Sequence, residues 1–218
     1  NMWAASQLAA KIPNDAAIHF AILNSLRSWN LFELPEGVES MSNVGGFGID
    51  GCLSSLIGAS FSNKERLYFC VVGDLAFFYD MNALGQRDIQ PNVRILIINN
   101  GMGTEFRQYR HHTSHFEDDA DVFISAAGHF GNKSPNLVKN YAEGLGFEYL
   151  CANTKEEFTQ KSGRFLDENI GDKPILFEVF TESEKETKAL EIIMNSQENL
   201  SVKAKLAAKG LAKKILGR

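Results

Sequence analysis

Two short apolar runs, separated by a connection long enough for a helix, constrain this chain more than anything else in it. Leu67-Tyr68-Phe69-Cys70-Val71-Val72 and Val93-Arg94-Ile95-Leu96-Ile97-Ile98 are rich in β-branched and aromatic residues. Runs of that length and kind read as strands buried on both faces. Residues 76 to about 84 leave room for a helix between them, so the unit is β-α-β and its strands are parallel. The polar turns Gly73-Asp74 and Asn99-Asn100 then emerge at the carboxyl ends of strands in one sheet, with Asp74 and Asn100 26 positions apart. Open α/β sheets bind their ligands at that rim. An Asp and an Asn there offer two hard oxygen donors, the kind magnesium takes when it also holds a diphosphate.

The rest of the chain continues the alternation. Residues 3–11 predict a first helix, stopped by Pro13, and 17–23 a strand ending at Asn24-Ser25. A helix over 26–34 is closed by Pro35-Glu36-Gly37, a short strand is expected within 38–44, and 50–61 read as a small-residue helix. Beyond the central unit, 101 to about 120 is irregular and polar; 137–145 predict a helix, 147–150 a strand, 155–169 a helix and 174–180 a last strand. Strands alternating with helices predict an α/β domain over 1–182, a mostly parallel sheet with helices on both faces. Residues 183–218 form a charged helical tail, with Glu182, Glu184, Glu186 and Glu191 first and Lys203, Lys205, Lys209, Lys213, Lys214 and Arg218 last. That order suits helix macrodipoles, and Val202, Leu206, Leu211 and Ile215 approximate one apolar face. A basic amphipathic tail can touch an acidic membrane surface or a partner. A terminal helix docked on its own domain is the stronger expectation.

Composition excludes some classes. A net charge of −5 gives no whole-chain argument for nucleic acid. Cys52, Cys70 and Cys151 are widely spaced and read as buried thiols of a reducing compartment. No apolar run approaches the roughly 20 residues that cross a bilayer, and no basic-then-apolar signal pattern opens the chain. A cytoplasmic location is expected.

Gly46-Phe47-Gly48-Ile49-Asp50-Gly51 meets the dinucleotide pattern G-x-G-x-x-G letter for letter. That pattern needs a buried strand before it and an acid at the end of the next strand. Glu39-Ser40-Met41-Ser42-Asn43 is too polar for such a strand, and the Asn99-Asn100 pair stays unexplained. A Gly-Asp turn, a helix, a strand and then Asn-Asn instead resembles the metal and diphosphate motif of thiamine diphosphate-dependent enzymes. Leu75 stands where that pattern has a second glycine. Gly73-Asp74-Leu75 with Phe78-Tyr79-Asp80-Met81-Asn82-Ala83-Leu84, the loop Ser42-Asn43-Val44-Gly45-Gly46-Phe47-Gly48-Ile49-Asp50-Gly51 and the turn Asn24-Ser25 are similar to one branch of it. That branch is the menaquinone-pathway synthase joining 2-oxoglutarate to isochorismate, and the likeness runs from about residue 17 to 180.

The resemblance implies a thiamin diphosphate-binding fold with thiamine diphosphate and Mg2+ as cofactors. It assigns to magnesium the side-chain oxygens of Asp74 and Asn100 and the carbonyl of Met102. It places the backbone N–H groups of Leu75 and Ala76, opening the helix after Gly73, on the diphosphate. Gly45 falls against the aminopyrimidine, Phe47 is the wedge that bends the cofactor, and Asn24 and Ser25 line the pocket. It assigns no catalytic residue to this chain, because the activating glutamate belongs to a separate pyrimidine-binding domain or subunit. The chain is then expected to be a C-terminal fragment or a separately encoded subunit, inactive alone and inclined to form a homo-oligomer.

The implied chemistry is decarboxylation or carboligation of a 2-keto acid. The branch sets arginines against substrate carboxylates where this chain has Val44 and Trp29, so an acceptor other than isochorismate is expected, with Arg27 or Arg94 as candidate replacements, although Arg94 reads rather as lying inside a strand. Arg107-Gln108-Tyr109-Arg110-His111-His112-Thr113-Ser114-His115 follows the metal motif as a prospective lid. His111 and His115 have the i, i+4 spacing of zinc ligands, but no third ligand follows at a defined spacing. A histidine there, His111, His112 or His115, protonates or orients substrate, or the stretch is an exposed loop. Glu105 is a further candidate to orient substrate. Glu117, Asp118, Asp119 and Asp121 read as a solvated acidic turn. The competing functional reading is a non-catalytic cofactor-binding or scaffold module that keeps the same fold.

Overall fold

The apolar runs become the centre of a six-stranded sheet. The computed structural model describes residues 1–46, 48–108, 111–116, 119 and 134–196. Its strands are β1 (Ala17–Phe20), β2 (Glu39–Ser42), β3 (Tyr68–Gly73), β4 (Val93–Asn99), β5 (Glu148–Ala152) and β6 (Ile175–Phe180), in the spatial order β2-β1-β3-β4-β6-β5. Every pairing is parallel. Because successive side chains leave a strand on opposite sides, the central strands feed two cores. Phe69, Val71, Leu96, Ile98, Ile175 and Phe177 point to one; Tyr68, Cys70, Val72, Ile95, Ile97 and Leu176 point to the other.

Helices α1 (Met2–Leu8), α2 (Asn24–Trp29) and α6 (Lys155–Phe165) cover the first face through Ala5, Leu8, Trp29, Phe158 and Phe165. Helices α3 (Cys52–Ser60), α4 (Asp74–Asp80) and α5 (Leu137–Gly144) cover the second through Leu53, Leu56, Phe77, Val138 and Ala142. Each fully buried side chain of this size contributes about 1.5–3 kcal/mol. Ring contacts of Phe69 with Phe165 (5.5 Å) and Phe158 with Phe177 (5.4 Å) fix α6 on the sheet. A last helix, α7 (Ser183–Ser196), follows β6 and buries Leu190. The tail residues from 197 onward, with their basic face, lie outside the described residues.

Two features of the sheet bear on the site. The polar segment set aside as a central strand is β2, an edge strand with three of its four residues exposed. The connection from β1 leaves through α2 on one face, and the connection from β3 leaves through α4 on the other. The crevice between the ends of β1 and β3 is therefore a topological switch point, where open α/β sheets take their ligands.

Some boundaries move. The helix expected from residue 76 starts at Asp74, directly after an extended Gly73, and continues as a tighter turn over Met81–Gly85. Strand β1 stops at Phe20, because Leu23 turns the chain at φ 67°, ψ −121°, a strained backbone for a branched side chain. Arg94 lies inside β4 and is not available to substrate. It is fully buried at the amino-terminal start of β4, away from the ligand rim, with Nη1 donating to the carbonyls of Pro91 and Val93.

Candidate functional site

At the switch point the ends of three strands enclose a cavity of about 80 Å³. Leu23, Asn24 and Ser25 line it after β1, Gly73, Asp74, Leu75 and Ala76 after β3, and Asn100 and Met102 after β4. The structure thus gathers Asn24, Ser25, Gly73, Asp74, Leu75, Ala76, Asn100 and Met102 around one space. Gly45 does not line it, and Phe47 lies outside the described residues. A larger cavity of about 360 Å³ lies beside it between α1, α6 and α7, sharing Asn1, Asn24 and Glu186 but none of the Gly-Asp or Asn-Asn residues.

The turn after β4 ties the two motif residues together. Asp74 is 2 % exposed, and its Oδ2 accepts the N–H of Gly101 at 2.8 Å. Asn100 Oδ1 accepts the N–H of Met102 at 3.1 Å. Gly101 holds this turn at φ 82°, where glycine carries no Cβ penalty. The two asparagines do different work. Asn99 is fully buried; its Oδ1 accepts from Gly101 N–H (3.2 Å) and its Nδ2 donates to Glu178 Oε1 in β6 (2.7 Å). Glu178 Oε2 accepts the Tyr149 hydroxyl at 2.6 Å. Burial, and then that carboxylate, push the Tyr149 phenol well above its ordinary range. Asn100 instead turns its Nδ2 toward Thr104 Oγ1 (2.7 Å) and Glu186 Oε2 (3.2 Å).

Two residues weighed separately in the sequence meet at the lip. Arg27 donates from Nη1 to Glu105 Oε2 (2.9 Å) and from Nη2 to Glu105 Oε1 (3.2 Å), a two-point pair. The same guanidinium reaches Gln108, whose amide donates to Asn24 Oδ1. One polar web therefore joins the turn after β1 to the segment after the Asn99-Asn100 turn. Trp29 packs against Phe20 at 5.4 Å and is 2 % exposed, whereas Val44 is half exposed. His111 makes a local turn, with Nδ1 2.7 Å from Thr113 Oγ1 and its ring edge-on to Phe106, and His115 lies over Phe116 at 4.1 Å. The 111–115 segment is not helical over that spacing, so i, i+4 places no two histidines on one face. Tyr109, Arg110, Glu117, Asp118 and Asp121 lie outside the described residues.

The donor chemistry fits magnesium and a diphosphate. A carboxylate, an amide oxygen and a backbone carbonyl are hard oxygen ligands, and Asp74 after β3 with Asn100 and Met102 after β4 offer one of each around the same cavity. Gly73, Gly45 and Gly46 have no protein atom within 4 Å of where a Cβ would stand, so packing does not demand glycine there. Close approach of a ligand to the backbone is a reason for glycine that such open space permits. Sequence reasoning gave no site role to Thr104, Glu178 or Glu186; Gln108 was named only within the prospective lid, and Glu186 only as one acid of a charged tail.

Residues 29–179 match the family described as thiamine pyrophosphate enzyme, C-terminal TPP binding domain. The chain is 32% identical over 189 residues to the 2-succinyl-5-enolpyruvyl-6-hydroxy-3-cyclohexene-1-carboxylate synthase of Bacteroides thetaiotaomicron, covering 87% of this chain and 32% of that protein. It is 36% identical over 187 residues to the synthase of the same name from Phocaeicola vulgatus, covering 84% of this chain and 31% of that protein. With that of Christiangramia forsetii the identity is 33% over 180 residues, 82% of this chain and 29% of the relative. The chain spans about a third of the length of these relatives.

Proposed function

Because the chain belongs to the thiamine pyrophosphate enzymes, as their C-terminal cofactor-binding domain, we propose that it forms the magnesium and diphosphate half of a 2-keto acid decarboxylase or carboligase. One observation carries this reading: eight residues assigned from sequence line one cavity, and Asp74 and Asn100 are both pinned to the turn at Gly101 and Met102. Asp74, Asn100 and the Met102 carbonyl hold Mg2+, and the first-turn N–H groups of Leu75 and Ala76 meet the diphosphate. When bound, thiamine diphosphate supplies the carbon nucleophile and electron sink for cleaving the bond beside a keto group. The chain's own part is to bind, orient and exclude water. The activating glutamate comes from a pyrimidine-binding domain, and the complete assembly is an oligomer.

The relatives are named as synthases of 2-succinyl-5-enolpyruvyl-6-hydroxy-3-cyclohexene-1-carboxylate, and this chain keeps their cofactor chemistry with a changed acceptor. Two points support the change. A buried Trp29 and an uncharged Val44 stand where carboxylate-binding arginines are expected, and the Arg27 guanidinium is already paired with Glu105. In the assembled enzyme, keto acid decarboxylation without appreciable isochorismate turnover is the expected result. Isochorismate turnover at a rate comparable to keto acid decarboxylation overturns the altered acceptor.

The deciding experiment is calorimetric titration of the chain with thiamine diphosphate, with and without magnesium, beside Asp74→Ala. Magnesium-dependent binding lost in the variant is the expected outcome. Binding that ignores both magnesium and the substitution refutes the assignment.

A further inference from the structure

Glu186 projects from α7, seven residues past the end of the family match at residue 179, and its side chain is nine-tenths buried. Oε1 accepts from the Thr181 hydroxyl (2.5 Å) and the backbone nitrogen of Asn1 (3.3 Å), and Oε2 accepts from Asn100 Nδ2 (3.2 Å). An asparagine amide is nearly symmetric in shape, so only its neighbours decide which edge carries oxygen. Thr104 cannot decide, because a hydroxyl both donates and accepts. A carboxylate only accepts. Two neighbours decide: the Met102 N–H, which only donates, holds the oxygen toward the turn, and Glu186, which only accepts, holds the NH2 toward α7. Thr104 Oγ1 also lies 3.3 Å from Ser183 Oγ at the start of α7, so the helix grips the loop at two points.

We infer that Glu186 is a positioning residue of the metal site: it holds Asn100 Oδ1 toward magnesium, and α7 is part of that site. The inference rests on the reading of Asp74 and Asn100 as magnesium ligands. The reversed amide would present N–H groups to the cation and its oxygen to a carboxylate, unfavourable on both sides. A glutamine at 186 keeps the size but can donate as well as accept, so it removes the hold from α7 and leaves the Met102 N–H as the remaining constraint on Oδ1.

The test is the magnesium concentration giving half-maximal thiamine diphosphate binding, measured by calorimetry on the full chain. Glu186→Gln raises it about ten- to a hundredfold, the usual effect of losing a group that orients a metal ligand. Asn100→Asp has two equivalent oxygens and needs no orienting, but sets a second carboxylate against Glu186. In that background Glu186→Gln lowers the concentration instead. A merely structural Glu186 gives the same sign in both backgrounds, and that result overturns the inference. So does unchanged magnesium dependence in Glu186→Gln. A wild type that binds the cofactor without regard to magnesium overturns the underlying reading, and the inference with it.

Discussion

His19 lies in β1 with 7 % exposure, paired with Cys70 of β3 and Met41 of β2. Burial holds its imidazole below the usual value, against a smaller opposing contribution from Asn43. The folded state therefore resists the proton that the unfolded chain accepts below its ordinary value near 6.5. Stability is full above that value and falls as pH drops through it. Denaturant titrations from pH 7.5 to 5.5 should show this loss, with a shallower slope in His19→Gln. Two glycines make a paired prediction at the same scale. Gly101→Ala forces a Cβ into the left-handed region at φ 82°, costing about 1–2 kcal/mol, and weakens magnesium-dependent binding by shifting the N–H that serves Asp74. Gly58→Ala, exposed within α3 with open space around its Cβ position, stabilises by about 0.5–1 kcal/mol. Equal melting shifts for the two refute the backbone argument.

Helix α6 shows how one element is fixed at both ends. Thr154 accepts the N–H of Glu157 (3.2 Å), and the Glu157 carboxylate accepts the N–H of Asn153 (2.7 Å), so one first-turn donor and the N–H just ahead of the cap are satisfied locally. Phe158 and Phe165 then anchor the helix in the core. Thr154→Ala should cost about 1 kcal/mol in chemical denaturation while leaving cofactor binding unchanged, since α6 contributes no residue to the cavity around Asp74. A matching loss of cofactor affinity contradicts that separation. The contrast with α7 is informative. Its acids read from sequence only as the leading end of a charged helix, yet Glu186 turns inward onto Asn100. Helical periodicity orders the faces of a helix but does not say which face meets a neighbour.

Across the whole molecule, the two ends of the sheet do different jobs. The carboxyl ends carry the cavity, while the amino ends carry Arg94, whose Nε and Nη2 find no hydrogen-bond partner among the described residues. Burial, the largest influence, lowers its guanidinium to about 10. A buried cation so incompletely partnered is replaceable by an apolar side chain at little or no cost. Arg94→Met should melt no lower than wild type and bind the cofactor equally well; a fall in either refutes its placement outside the site. No helix among the described residues is long and apolar enough to cross a membrane.

What the sequence by itself determined here is local in origin. Buried strands announce themselves as apolar runs, edge strands by polarity, and ligand turns by Gly-Asp and Asn-Asn after a strand. For that reason the β-α-β core and the polarity of β2 were legible without coordinates, whereas most of the eight residues around the cavity were assigned through the resemblance to thiamine diphosphate-dependent enzymes. The tertiary structure alone decided which side chains face one another across that rim. Arg27 meets Glu105 at 78 positions' distance, Asn99 meets Glu178 at 79, and Asn100 meets Glu186 at 86. The first depends on β1 and β4 flanking β3, and the other two on β6 lying beside β4 and α7 folding back over the turn after it. No periodicity or turn signal encodes such neighbours, because they arise from the order of strands in the sheet rather than from any one segment of chain.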